Sequence, residues 1–270
     1  MFDPNLLRAV AKISSADDRR HGTGFLYDAP TPTNESKVGT WFVTCKHVYE
    51  GIREDGDKAL IWFNRNDGTG AVPMEVDVSG TEGNWLWTLH DEHDVAVLAF
   101  YALKDNPVRE MIAFSTFPRI EHSLASLEAQ EIGVSEGDGV YILGFPVGWE
   151  PSDRHYPVTR YGVIAQIRGL YDGSHSTFLV DGSVFGGNSG SPVLTKFEVA
   201  GIQGLPVVPS TKLIGMVNAY KVNQAPVDEV SEQQALSRII AIENADLITV
   251  IPIDHIDETV GMACQKYGIT

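Results

Sequence analysis

Between Asp181 and Val193 the chain reads DGSVFGGNSGSPV, and its centre, Gly186-Gly187-Asn188-Ser189-Gly190-Ser191-Pro192, narrows the choice of fold more than any other stretch. Glycine loses extra backbone entropy in a helix or strand, and proline has no N–H to give to a ladder, so the segment reads as a shaped loop. Glycine also reaches backbone conformations closed to other residues. Consecutive N–H groups can then point into one concavity and stabilise developing negative charge there. A serine inside that concavity is placed to attack a carbonyl. Taken alone, the same letters also describe a Gly/Ser surface turn, so the reading depends on whether a base and an orienting acid are supplied elsewhere.

Both are supplied upstream, and in order. Thr44-Cys45-Lys46-His47-Val48 closes the strand-like run Thr40 to Val43, and Asp94-Val95-Ala96-Val97-Leu98 opens a run with the look of a buried strand. On TCKHV, HDVAVL and GGNSGSPV, in the order His, Asp, Ser, the chain resembles the trypsin-like (chymotrypsin-fold) serine peptidases, most closely their bacterial intracellular and HtrA-like branch. The resemblance runs from about Gly22 to Val260.

Many short strands with Gly/Pro turns predict an all-β fold, and the resemblance makes it two six-stranded antiparallel β-barrels with short helical insertions and a C-terminal helix. It implies one peptidase domain: an N-terminal barrel over about 20–118, a connection over about 119–133, a C-terminal barrel over about 134–252 and a helix over about 252–264. It also implies His47 as base, Asp94 as the acid that holds it, and Ser189 as nucleophile, with the backbone N–H groups of Gly187, Asn188 and Ser189 as the oxyanion hole. Ser183 would lie at the base of the pocket for the residue before the scissile bond, with Asn218, Ala219 and Tyr220 along its wall. No acid stands at Ser183, so a Lys or Arg preference is not implied, and Tyr220 narrowing the entrance favours small or medium apolar residues. Secreted relatives are activated when a newly cut N-terminus pairs with an acid just before the nucleophile. Asn188 occupies that position here and is uncharged, so such activation is not expected. Relatives carry a small residue where Cys45 stands, which leaves its sulfur either as core packing or as an oxidisable group near the imidazole.

The net charge is −16, from 20 basic and 36 acidic residues, which argues against nucleic acid or an anionic membrane as partner. The expected partners are a protein or peptide substrate and, given the long inserts, a regulatory protein. Only Cys45 and Cys264 are present, too few for the disulfide framework usual in secreted relatives. The opening residues MFDPNLLRAVAKISSADDRR lack a leader pattern, and no apolar run is long enough to span a membrane. A bacterial cytoplasm is the expected location.

Along the chain, Asn5 to Ile13 carries apolar residues at helical spacing and predicts a short N-terminal helix, and GTGF at Gly22 to Phe25 resembles the first barrel strand of HtrA-like enzymes. Lys58 to Asn64 and Ala71 to Val78 read as strands around the turn Asn66-Asp67-Gly68. Leu103 to Phe114 has helical character broken by Pro107, and Ser123 to Glu131 is a second candidate helix. Strands resume at Gly139 to Leu143, Pro157 to Ile167 and Thr177 to Val180, with Gly144-Phe145-Pro146-Val147-Gly148 resembling a turn of the same branch. Lys212 to Tyr220 is preferred over Val199 to Gln203 as the cleft-wall strand. Asn223 to Glu243 reads as an extended connection with helical portions, and Leu247 to Ile251 as the last strand, followed by a helix from Pro252. His90-Asp91-Glu92-His93 offers metal-ligating side chains, but the peptidase resemblance accounts for Asp94, leaving the others as a solvated loop. No metal or organic cofactor is expected.

Three other readings stand beside the peptidase. One is a catalytically silent trypsin fold that serves only to bind. Another is a sensor whose activity is held off until a partner arrives. The third is an α/β-hydrolase using Ser189 with His255, although that fold wants G-x-S-x-G and this chain has Ser191 at the last position.

Overall fold

The structure, a computed structural model, describes residues 3–31, 34–80, 87–147, 153–183, 186–196, 210–224 and 242–268. It contains two β-sheet units that together make the two-barrel architecture. The first unit is built from β1 (Val10–Ser15), β2 (His21–Thr31), β3 (Asn34–Thr44), β4 (Lys58–Asn64), β5 (Ala71–Asp77), β6 (Trp87–Leu89) and β7 (Ala96–Leu98), in the spatial order β5-β4-β1-β2-β3-β7-β6. A two-residue strand, β8 (Phe117–Pro118), lies parallel to β2. The alternation seen in the sequence is realised in β4, where Ala59, Ile61 and Phe63 turn inward and the residues between them are more exposed.

This sheet is an open half-barrel and not the closed six-stranded barrel that the resemblance implies. Among the described residues, β5 and β6 do not pair. Side chains bridge the gap instead. Trp87 Nε1 donates to the Asp77 carbonyl at 3.1 Å, and the Tyr49 hydroxyl donates to the Val78 carbonyl at 3.1 Å. The two rings pack with centroids 5.0 Å apart. Aromatic side chains thus cover the edges that β5 and β6 leave unpaired among the described residues.

The second unit is a closed barrel of β9 (Gly139–Gly144), β10 (Val158–Gln166), β11 (Phe178–Asp181), β12 (Pro192–Thr195), β13 (Leu213–Gln224) and β14 (Ile242–Pro252), running β10-β11-β14-β13-β12-β9 and back to β10. Val140, Ile142, Ile164, Phe178, Val180 and Val250 are among the side chains that fill it. The larger apolar cluster belongs to both units. It runs from Phe25, Phe42 and Ile61 of the first sheet to Leu143, Leu194, Met216 and Ile251 of the barrel. Burial of side chains this size stabilises by about 1.5–3 kcal/mol each, so the units are held on one apolar seam.

Among the described residues, five α-helices decorate the sheets: α1 (Lys46–Asp55), α2 (Arg119–His122), α3 (Ser126–Glu131), α4 (Arg168–Tyr171) and α5 (Ile253–Tyr267). α5 follows β14 directly and buries Ile256, Val260 and Ala263 along one face, then stops where Gly268 adopts a left-handed conformation. The Arg119 guanidinium from α2 and the Tyr27 hydroxyl of β2 each bond Asp257 of α5 at 2.6 Å.

The N-terminal segment departs from its expected helix. A 3₁₀ turn covers Pro4–Ala9, and Val10–Ser15 then forms a central strand paired to both β2 and β4. Both faces of that strand are covered, so the alternation that marks a strand is missing from its sequence. GTGF therefore lies on the second strand, not the first. Leu103 to Phe114 forms 3₁₀ turns over Phe100–Asp105 and Pro107–Met111 in place of a helix. Val199 to Gln203 and most of the connection after Asn223 lie outside the described residues.

Candidate active site

β3 ends at Thr44, and the chain turns at Cys45 into α1, which places His47 in the first helical turn. Cys45 gives that helix no side-chain cap. Asp94, arriving from the bend before β7, supplies one. Its Oδ1 accepts the His47 backbone N–H at 2.8 Å, and its backbone carbonyl accepts the Lys46 N–H at 3.3 Å. Its second oxygen, Oδ2, meets His47 Nδ1 at 2.5 Å. A carboxylate facing Nδ1 favours the tautomer with the proton there, which leaves the Nε2 lone pair for other chemistry. The bend itself is tied inward by His90, whose Nδ1 accepts the backbone N–H groups of Glu92 and His93 at 3.1 and 3.0 Å.

Ser189 sits in a turn pinned between the two units. The Thr23 N–H of β2 donates to the Ser189 carbonyl at 2.9 Å, and the Thr23 hydroxyl donates to the Gly187 carbonyl at 2.8 Å. The same hydroxyl accepts the Phe145 N–H at 3.0 Å. Gly187 and Gly190 have φ of +88° and +86°, conformations that other residues adopt only with strain. A Cβ on Gly190 would also collide with the Thr23 carbonyl. Among the described residues, the N–H groups of Gly187 and Ser189 find no acceptor, while the side chains of Asn188 and Ser191 are buried behind the turn.

His47 and Asp94 are in direct contact, and Ser189 lies across Gly22 from the helix that bears His47. A Cβ on Gly22 would stand 2.7 Å from Val48 Cγ1 on one side and 3.2 Å from the Ser189 carbonyl on the other. A single acceptor ties the two flanks together. The Val217 carbonyl of β13 takes the Gly190 N–H at 2.8 Å and the Cys45 thiol at 3.2 Å. Cys45 is fully buried, and burial, followed by the nearby Asp94 carboxylate, pushes its thiol pKa well up, so its sulfur serves packing rather than reactivity.

Of the expected pocket residues, Ser183 is exposed just after β11 and Asn218 is half-buried on β13. Ala219 and Tyr220 continue the same strand, and their side chains lie outside the described set, as do residues 184–185. His255 is on α5, its Nε2 facing the Ser176 carbonyl at 3.1 Å, in a cluster with His90, His93 and Glu258. That position and the two-sheet fold set aside the α/β-hydrolase reading. Sequence reasoning missed Thr23 as the bridge between units. Its only signal was its place inside GTGF.

The family model described as the trypsin-like peptidase domain matches residues 22–202. Among solved structures, the crystal structure of the protease Anisep from Arthrobacter nicotinovorans is similar at 12% identity and a TM-score of 0.49, with 96% of each chain covered. No curated protein matches the chain.

Proposed function

The chain belongs to the trypsin-like peptidase domain family, and on that premise we propose that it is a serine endopeptidase. In this reading Ser189 Oγ attacks the peptide carbonyl and His47 Nε2 takes its proton. The tetrahedral intermediate then collapses to an acyl-enzyme as His47 returns the proton to the leaving amine, and water attacks by the same route in reverse. Asp94 holds the imidazole and balances the charge it gains. The N–H groups of Gly187 and Ser189, with Asn188 between them, receive the developing oxyanion, a contribution of about 10²–10³ in turnover for each donor.

The observation that carries this reading is the shared Val217 carbonyl. It anchors the residue after Ser189 and the residue two before His47 to one atom. Together with the bond from His47 to Asp94, this supports a working site at the seam. The test is labelling with a serine-directed phosphonate, followed by mapping of the modified residue. Modification at Ser189, and loss of peptide hydrolysis in a folded Ser189→Ala protein, are the expected results. Unchanged hydrolysis by Ser189→Ala would end the assignment.

Ser183 at the pocket base, with no acid, leads to a preference for small or medium apolar residues before the scissile bond. Cleavage profiling on a peptide library checks it, and a strict Lys or Arg preference would overturn it. The GTGF and GFPVG segments favour the HtrA-like branch, and Cys45 and Cys264, both free thiols, fit a reducing bacterial cytoplasm.

A further inference from the structure

The bend that delivers Asp94 is joined to α5 by side chains that the peptidase chemistry leaves unused. His90 and His93 stand three residues apart in the bend, and His255 and Glu258 stand three apart on the helix, where that spacing puts two side chains on one face. One donor atom from each of the four lies within 4.8 Å of the others. Glu258 Oε2 is 3.5 Å from His255 Nδ1 and 3.2 Å from His90 Nε2. Ligand atoms about 2.0–2.2 Å from a tetrahedral ion stand roughly 3.3–3.6 Å apart, so the His255–Glu258 pair already has the spacing of one edge.

Ring tautomers decide which nitrogens are available. A carbonyl can only accept, so the Ser176 carbonyl 3.1 Å from His255 Nε2 favours a proton on that nitrogen, which in the neutral ring leaves Nδ1, 3.5 Å from Glu258 Oε2, as the nitrogen able to ligate. Metal-ligating histidines are commonly fixed by an outer carbonyl in this way. His90 is the reverse case. Its Nδ1 accepts two backbone N–H groups, so its proton sits on Nε2, which is buried and lacks a well-aligned hydrogen bond although Glu258 is close. His93 stacks on His255 with ring centroids 3.4 Å apart, is only partly buried, and has one ring nitrogen within 4.8 Å of the other three donor atoms.

We propose that His93, His255 and Glu258 bind a divalent transition-metal ion, with the His90 Nε2–H steadying the Glu258 carboxylate and one coordination position left to water. Two imidazoles and a carboxylate suit zinc better than calcium or magnesium, which take oxygen ligands. The ion fastens the Asp94 bend to the C-terminal helix. The sequence offered only half of this set, because His255 and Glu258 are far along the chain from His90 and His93.

The experiment is calorimetric titration of chelator-stripped full-length protein with zinc sulfate, with thermal unfolding and the visible spectrum of the cobalt-substituted protein as further readouts. The expected result is one zinc per chain, a raised unfolding midpoint and intense cobalt bands of a four-coordinate site. His93→Ala and Glu258→Gln change exposed or partly exposed side chains, and each should weaken zinc at least tenfold while circular dichroism stays unchanged. His47→Ala should bind zinc as the parent does, which separates this site from the Cys45, His47 and Asp94 group. Absence of zinc binding, binding that survives both His93→Ala and Glu258→Gln, or binding lost in His47→Ala would each overturn the proposal.

Discussion

Asp94 uses its two oxygens for different ends, one on the His47 ring and one on the His47 backbone, and the two uses are separable by substitution. Asp94→Asn keeps an oxygen that can still accept the backbone N–H, but its amide and lost charge favour the wrong imidazole tautomer. Turnover should fall by about 10²–10⁴ with KM within a few-fold, by analogy with the same change in a well-studied triad. Asp94→Ala removes the cap as well and should cost about 0.5–2 kcal/mol more in stability. Steady-state kinetics and urea denaturation on the pair check both halves, and equal stability of the two variants would count against the capping role. At the same scale, Gly190→Ala should unfold or inactivate the protein, since it meets both a φ of +86° and the Thr23 carbonyl. Soluble yield and peptidase assay show which. The His47–Asp94 contact and the shaped turn at Ser189 were legible because each lies in a short motif whose chemistry is local. Thr23 was not, because nothing about a threonine in a strand announces that its hydroxyl will span two sheets.

Among elements, α4 shows how a loop carboxylate sets a helix end. Glu136 Oε1 accepts the N–H groups of Ile167 and Arg168 at 3.0 Å each, and Oε2 takes the Ser135 hydroxyl at 3.1 Å. The Ile167 backbone bond leads the effects that hold its pKa down to about 2, from an ordinary 4.5. The folded state therefore prefers the charged form. The stability Glu136 contributes is fully present above about pH 4.5 and is lost as pH falls from there through about 2. Glu136→Gln should flatten that part of the acid limb when unfolding free energy is followed against pH, and an unchanged slope would show that the carboxylate is not coupled to folding. Strands such as β4 were readable because one covered face writes alternation into the sequence. β1 was not, because neighbours cover both its faces, and α1 was missed because its cap comes from Asp94, far along the chain. Registers of distant strand pairs leave still less trace, so the half-open form of the first sheet could not be read beforehand.

In the whole molecule a continuous apolar cluster brings the two units together at the seam, and a few buried polar bonds fix their register. Apolar burial is non-directional, so it cannot by itself hold the Ser189 turn at a set position relative to α1. Thr23 can. Its hydroxyl donates to Gly187 and accepts from Phe145, while its backbone N–H holds Ser189. Thr23→Val keeps nearly the same shape and removes both hydroxyl bonds, leaving a buried N–H and a buried carbonyl short of partners. The expected cost is about 1–3 kcal/mol for each group left unsatisfied. On the proposed mechanism turnover should fall about tenfold or more, since the N–H groups proposed as oxyanion donors belong to the turn that loses its anchor. Thr23→Ser restores the hydroxyl and should recover most of both quantities. The test is urea unfolding beside steady-state kinetics on the three proteins. A Thr23→Val protein with parental stability and turnover would mean that the seam is positioned by packing alone.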